Sequence, residues 1–117
     1  LPTVELSSAW ELRLPLRWIA VLREHVTCSL ALTSGVHTGG DVAKALLVGA
    51  DVAMTTSALL RHGPAHVAVM EEALLQWMVD HEYTSVDQLR GSVRREAAAN
   101  PEAFERSSYA RTLASWA

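Results

Sequence analysis

Two short polar turns have the residue types of a phosphate-binding site. Thr33–Val36 follows one apolar run and contains Gly35, and Thr55–Ala58 follows a second apolar run. Small side chains leave backbone N–H groups accessible, and each turn precedes a segment that can be helical, so both helix dipoles would favour an anion. The pattern therefore predicts a site for one phosphate group. The alternative is that both segments are ordinary turns of an α/β protein.

One βαβ unit would place these turns side by side. Ser29–Thr33 and Val52–Thr56 are short apolar runs typical of strands. Between them, Thr38 or Asp41 can accept hydrogen bonds from the free amides of a first helical turn, and Gly49 suits the helix end. Strands joined by such a crossover helix are parallel neighbours, so their carboxyl ends lie at one edge of the sheet. We therefore expect the two turns to face one ligand.

The segment TSGVHTGGDVAKALLVGADVAMTTSAL resembles the last phosphate-binding segment of the FMN-dependent (β/α)8 barrels. In those enzymes a Gly-Gly-Val/Ile turn after strand seven and a Gly-Thr or similar turn after strand eight hold the flavin phosphate. The stretch Glu82–Gly91, EYTSVDQLRG, is similar to the G-Y-x-S-[IL]-x-[DE]-[FL]-x-G tail of the dihydroorotate dehydrogenase family. The resemblance covers about residues 27–93. It implies an α/β fold: the C-terminal βα units of a TIM-type barrel with parallel strands, followed by extra C-terminal helices.

The resemblance also implies which residues bind the FMN phosphate. Gly35 and Val36 match the strand-seven turn, and Ser34 stands in the place of the family's first glycine. Thr56 and Ser57 match the strand-eight pair, with Thr56 in the place of a glycine. A side chain at residue 35 would block close approach of the backbone to a phosphate. The N–H groups of residues 56 and 57 and the Ser57 hydroxyl are the candidate donors.

No catalytic residue is assigned within this chain. In the family, the catalytic base (a Ser or Cys) and a lysine near the flavin lie upstream of the strand-seven turn, and nothing before Thr27 matches them. Lys44 is the only lysine, and its place inside the crossover helix favours a solvated side chain. The predicted site residues therefore bind cofactor only.

The histidines and the cysteine are weaker candidates for chemistry. His37, at the head of the crossover helix, is either a positive group near the phosphate or a simple loop residue. His62 and His66 have the i, i+4 spacing of metal ligands on a helix, but Gly63-Pro64 interrupts that helix, so no metal site is expected. Cys28 heads a strand that reads as buried, and we expect an inert small hydrophobe.

Composition and charge limit the function classes. Half of the 117 residues are hydrophobic and a fifth are charged, which is typical of a globular domain. The formal net charge of −3 comes without a basic run, so no nucleic-acid partner is expected. No apolar stretch approaches the roughly 20 residues of a membrane-spanning helix, and the N-terminus shows no export signal. The single cysteine fits a reducing compartment, so we expect a cytoplasmic protein.

The length is short for the implied fold, because a (β/α)8 barrel needs about 250 residues. We therefore expect the C-terminal piece of a longer protein, forming one partial domain. Residues 1–93 would hold the barrel units and the family-like tail, and residues 94–117 a helical extension. Thr3–Leu6 reads as a further strand. The remaining pattern predicts helices over Pro15–Glu24, Ala65–Val79, residues 85–98 and Pro101–Leu113. Trp18, in the first of them, is expected in the core or on a packing surface rather than stacked on a ligand.

The resulting hypothesis is a fragment of an FMN-dependent oxidoreductase of the dihydroorotate dehydrogenase type, acting on CH–CH bonds in pyrimidine biosynthesis. The fragment alone would be inactive, the whole protein would act on a small-molecule substrate, and a homo-oligomer is expected. A free-standing α/β module that binds phosphate ligands or a protein partner is the alternative from another class. A third possibility is another flavin or phosphate-binding barrel with a different substrate.

Overall fold

A computed structural model of the chain describes residues 3–93. It contains two short strands and five α-helices within those residues. In chain order they are a 3₁₀ turn (Ala9–Leu12), α1 (Arg13–Leu22), β1 (Ala31–Leu32), α2 (Gly39–Leu47), β2 (Val52–Ala53), α3 (Ser57–His62), α4 (His66–Asp80) and α5 (Val86–Leu89). The strands are parallel, with Ala31 opposite Val52 and Leu32 opposite Ala53. The fold is mixed α/β with parallel strands, as the sequence predicts, and it fits a fragment of a TIM-type barrel.

Helix α2 begins where its local sequence dictates. The Thr38 hydroxyl accepts the N–H of Asp41 at 3.1 Å, and the Asp41 carboxylate accepts the N–H of Thr38 at 3.0 Å. This reciprocal capping box satisfies amides that have no partner within the helix. Gly49, at φ +110°, follows the last turn, and its N–H donates to the Leu46 carbonyl at 3.0 Å. Both helix signals in the sequence are therefore confirmed.

The core surrounds β1 and the inner face of α2. Leu32 is 1% exposed and belongs to a cluster of buried residues from the 3₁₀ turn, α1, α2 and α4. A second cluster joins Leu46, Met78 and Leu89, and so packs α5 against α2 and α4. Gly39 lies directly against the α4 backbone, because an added Cβ would stand only 2.5 Å from the Leu74 nitrogen. Helix α2 is thus held tightly between α4 and the sheet.

Arg23 ties the carboxyl end of α1 to the amino ends of the strands. Its guanidinium donates to the carbonyl oxygens of Val26 at 2.9 Å and Cys28 at 2.7 Å, and to the Asp51 carboxylate at 3.2 Å. These contacts fix the loop between α1 and β1. The opposite, carboxyl ends of the strands are left for the candidate site.

Several sequence expectations are wrong in detail. Thr3–Leu6 forms no strand, because within the described residues the sheet has only two members. Trp18 is 55% exposed, so it does not lie in the core, one of the two places expected for it, since α1 turns its Ile19 side inward. Cys28 is exposed, because it precedes the two-residue strand instead of heading it.

The boundaries of α1 and α5 differ from the expected ones. Helix α1 begins at Arg13, ahead of Pro15, which its first turn accommodates. Helix α4 matches the prediction to within one residue. Helix α5 ends at Leu89 instead of reaching residue 98, because Arg90 leaves the helical region (ψ 118°) and Gly91 has φ +70°. The helix predicted over Pro101–Leu113, and the proposed extension of residues 94–117, lie outside the described residues.

Candidate functional site

A cleft of about 370 Å³ lies at the carboxyl ends of β1 and β2. Its walls include all the residues predicted to bind a cofactor phosphate: Ser34, Gly35, Val36, Thr56 and Ser57. The structure brings the two turns together because the strands that precede them are parallel neighbours. Thr55 links the turns directly, since its hydroxyl donates to the Val36 carbonyl at 2.7 Å. Phosphate binding by these residues stays a prediction.

The first turn has an unusual backbone. Ser34 has φ +82° and Gly35 has φ +84°, so two successive residues occupy the left-handed region. That region is favourable for glycine and costly for most other residues, so Ser34 occupies a strained backbone position. The Ser34 hydroxyl donates to the Glu11 carboxylate at 3.3 Å and helps to hold this conformation.

Gly35 is required for a reason that the sequence did not reveal. A Cβ at this position would overlap the backbone nitrogen of Leu12 and stand 2.8 Å from the Leu12 Cα. Residue 35 is buried, and the 3₁₀ turn packs directly on it. Packing against this turn therefore excludes a side chain at Gly35, whatever ligand the cleft accepts.

Ser7 is a member of the site that sequence reasoning missed. Its hydroxyl accepts the Gly35 N–H at 3.3 Å and lies 3.2 Å from Nε2 of His37, while its own N–H donates to the Ser57 hydroxyl at 2.9 Å. The N-terminal segment thereby touches both turns. No local signal could have found it, because Ser7 is 28 residues from Gly35 and 50 from Ser57.

The two helix starts at the cleft differ in what they can offer an anion. At α2, the Asp41 carboxylate accepts hydrogen bonds from the N–H groups of both His37 and Thr38, each at 3.0 Å. These two donors are therefore already occupied by a carboxylate of the chain itself. At α3, the first backbone hydrogen bond within the described residues runs from the Leu60 N–H to the Thr56 carbonyl, at 3.0 Å. The N–H groups of residues 57–59 are left for other acceptors. The second turn is therefore the better source of donors.

The side-chain charges at the cleft do not favour an anion. Among the described residues, its lining includes the carboxylates of Glu5 and Glu11 and neither lysine nor arginine. Both glutamates are exposed, so solvent screens their repulsion. Any phosphate bound here would rely on N–H and hydroxyl donors at short range.

The histidines mainly hold structure together. Nε2 of His66 lies 2.8 Å from the His37 carbonyl oxygen, which joins the start of α4 to the turn before α2. The rings of His62 and His66 lie 4.6 Å apart. Within residues 3–93, no group of three His, Cys, Asp or Glu side chains is placed to hold a metal ion.

A second, apolar groove of about 510 Å³ adjoins the cleft along α1. Trp10, Leu14 and Trp18 line it, with exposed fractions of 64%, 64% and 55%. The Arg13 guanidinium lies over the Trp10 ring, 3.0 Å from its centroid. Thr33 and Ser34 belong to both depressions. The polar cleft therefore continues into an aromatic surface.

Comparison with known proteins finds partial relatives among enzymes. Isopentenyl-diphosphate delta-isomerase of Chlorobium phaeovibrioides is 41% identical over 64 residues, which are 53% of this chain and 18% of the isomerase. Dihydropyrimidine dehydrogenase (NADP(+)), chloroplastic, of Arabidopsis thaliana is 30% identical over 63 residues, which are 54% of this chain and 15% of the dehydrogenase. The isomerase of Chlorobium luteolum is 36% identical over 52 residues, 44% of this chain and 14% of that protein.

The chain spans less than a fifth of the length of these relatives. No protein-family profile matches it. Because the relatives are an isomerase and a dehydrogenase, they support a segment of an enzyme without supporting dihydroorotate dehydrogenase in particular. Among the helices of residues 3–93, none combines the length and the apolar character that a membrane span requires.

Proposed function

We propose that this chain is the segment of a flavin-dependent α/β-barrel enzyme that binds the cofactor's phosphate. The observation that carries the proposal is the meeting of two polar turns at one cleft, at the carboxyl ends of parallel strands. Ligands of α/β folds bind at this end of the sheet. The partial relatives, which include a dehydrogenase, add independent support.

The proposed cofactor is FMN, held through its phosphate by Ser34, Gly35, Val36, Thr56 and Ser57. The residues fit such a group through their donors: the N–H groups at the start of α3, which have no backbone acceptor among residues 3–93, and the Ser57 hydroxyl at the cleft wall. When bound, the flavin would supply hydride transfer, and this chain would bind and orient it. The base that moves a proton would come from elsewhere in the whole protein.

Two reactions are candidates for the whole enzyme. The resemblance to dihydroorotate dehydrogenase favours oxidation of a CH–CH bond in a small-molecule substrate. The 41% identity with an isopentenyl-diphosphate delta-isomerase favours a second candidate, a flavin barrel with an isomerase reaction. In both cases we propose a cytoplasmic homo-oligomer. A free-standing phosphate-binding or protein-interaction module without redox chemistry remains the competing class.

Flavin retention tests the cofactor proposal. We expect the whole protein to purify yellow, and Ser57→Ala to weaken FMN binding by about 1 kcal/mol, the net value of one hydrogen bond. Ser29→Ala is the matched control, because Ser29 is an exposed serine before β1, away from the cleft. A colourless protein that does not bind added FMN would rule out a flavin enzyme. Gly35 is unsuitable for this test, since any side chain there meets Leu12.

Substrate assays separate the two reactions. Anaerobic addition of dihydroorotate should bleach the flavin absorbance if the chain belongs to a dehydrogenase of that type. Conversion of isopentenyl diphosphate to its isomer, without net bleaching, would favour the isomerase reaction. Flavin binding without either response would support the proposal for the cofactor and exclude both proposed reactions.

A further inference from the structure

The hydroxyl oxygen of Ser7 lies between a backbone N–H of the first turn and the ring of His37, the residue that follows this turn. It accepts the Gly35 N–H at 3.3 Å and lies 3.2 Å from Nε2 of His37. The backbone N–H of Ser7 reaches the second turn, at the Ser57 hydroxyl, 2.9 Å away. One residue of a third segment therefore sits where both turns converge.

This position has a consequence for any anion in the cleft. The Gly35 N–H has a single hydrogen, so it cannot fully serve both the Ser7 hydroxyl and a phosphate oxygen. A phosphate oxygen carries charge and forms the stronger bond, because charge-assisted hydrogen bonds are about twice as strong as neutral ones. The two acceptors compete for one donor.

We propose that the Ser7 hydroxyl stands in for a phosphate oxygen and leaves its place between Gly35 and His37 when a phosphate ligand binds. This inference rests on the proposed function, that the cleft binds the phosphate of a cofactor. Ser7 then sets the affinity of the cleft without being a final ligand.

The segment that carries Ser7 is suited to such a displacement. Residues 3–8 belong to no helix or strand, so no ladder of backbone hydrogen bonds holds them. Ser7 itself is only partly buried. Moving its side chain breaks one hydrogen bond to Gly35 and one polar contact to His37, and leaves the sheet and the core untouched.

Phosphate titration of Ser7→Ala tests the proposal. Removing the hydroxyl removes the competitor, so we expect the whole protein to bind inorganic phosphate and FMN about threefold to tenfold more tightly, the equivalent of one net hydrogen bond. Ser8→Ala is the matched control, because the adjacent Ser8 hydroxyl makes no capping hydrogen bond. Its affinity should equal that of the unaltered protein. Binding is measured by calorimetry, with the Gly35 amide resonance as a local reporter.

Ser7→Asp provides an opposite variant. Its carboxylate would place a tethered anion beside the Gly35 N–H, so phosphate should bind more weakly. Because the two variants move the affinity in opposite directions, either one decides the question if the other fails to fold. If the unaltered protein binds phosphate, unchanged or weaker binding by Ser7→Ala overturns the proposal for Ser7. Unchanged or tighter binding by Ser7→Asp overturns it as well, and both outcomes leave the proposed function intact. Failure of every protein to bind phosphate or FMN overturns the proposed function as well.

Discussion

The Asp51 carboxylate accepts a hydrogen bond from the backbone N–H of Leu30, with 2.7 Å between Oδ2 and the nitrogen. Asp51 precedes β2 and Leu30 precedes β1, so one side chain joins the amino ends of both strands. Arg23 lies 3.2 Å from the same oxygen, and Nε of Arg90 lies 3.8 Å from the other. This cluster closes the end of the sheet opposite the cleft.

The same contacts predict how stability depends on pH. The Leu30 N–H, with smaller contributions from the Arg23 and Arg90 guanidinium groups, holds the pKa of Asp51 below its ordinary value of 3.8, although burial opposes the shift. A carboxyl with a lowered pKa in the folded state stabilises the fold at pH values above 3.8. That stabilisation is lost as the pH falls through the folded-state pKa.

We therefore expect Asp51→Asn to lower the free energy of unfolding at pH 7 by roughly 1–2 kcal/mol, since a charged acceptor becomes neutral. The difference from the unaltered protein should shrink as the pH falls below 3.8 and through the lower folded-state pKa of Asp51, where Asp51 itself becomes protonated. Urea unfolding between pH 7 and pH 2.5 measures both. Asp87→Asn is the control, because the exposed Asp87 also pairs with Arg90, at 3.0 Å. A difference that stayed constant over this range would contradict the assignment.

Gly39 and Gly40 provide a paired test of the packing between α2 and α4. A Cβ at Gly39 would stand 2.5 Å from the Leu74 nitrogen and 2.6 Å from the Ala73 Cβ, whereas at Gly40 the nearest atom would be the Thr38 hydroxyl oxygen at 3.6 Å. Gly39→Ala should destabilise by about 1–3 kcal/mol, because a helix backbone cannot easily give way. Gly40→Ala should instead stabilise by about 0.4–1 kcal/mol. Thermal unfolding of both variants is the measurement, and similar effects would show that the helices can separate at little cost.

Gly35→Ala should destabilise the protein through contact with the 3₁₀ turn. The new Cβ would meet the Leu12 backbone, and the residue would also keep an unfavourable φ of +84°. Gly91→Ala is the control, because Gly91 has φ +70° and no atom of residues 3–93 lies within 4 Å of an added Cβ, so among these residues it shares only the backbone strain. We expect the loss in Gly35→Ala to exceed that in Gly91→Ala by about 1–3 kcal/mol in urea unfolding. Equal losses would mean that the 3₁₀ turn moves away freely.

The 117-residue chain on its own should self-associate. Within the described residues each strand has one edge without a strand neighbour, and unpaired edges are templates for another chain. Val52 on β2 and Trp18 on α1 are 52% and 55% exposed, and a net charge of −3 opposes association weakly. Sedimentation at micromolar concentration should show oligomers. Val52→Lys and Trp18→Lys then distinguish association through the sheet from association through the helix, and a monomer that retains stoichiometric FMN would contradict the prediction.

Much of the architecture follows from local signals in the sequence. Thr38 and Asp41 are three residues apart, so their capping box depends on little beyond the helix itself. The two apolar runs and the crossover helix between them were sufficient to predict parallel strands, and hence two turns at one edge. Helix α4 was equally predictable, because Gly63-Pro64 marks its start and a segment of 15 residues is too long for an ordinary strand.

The tertiary structure alone decided how the site is built. Ser7 meets Gly35 and Ser57 across 28 and 50 residues of sequence, and Gly35 meets Leu12 across the packing of the 3₁₀ turn. The approach of a phosphate to Gly35 stays a prediction from the sequence, whereas only the structure reveals that the Leu12 backbone fills the space where a Cβ of residue 35 would stand. Hydrogen-bonding and apolar periodicities report a residue's nearest neighbours along the chain. Contacts between distant segments depend on how all the elements pack at once, which no local pattern encodes.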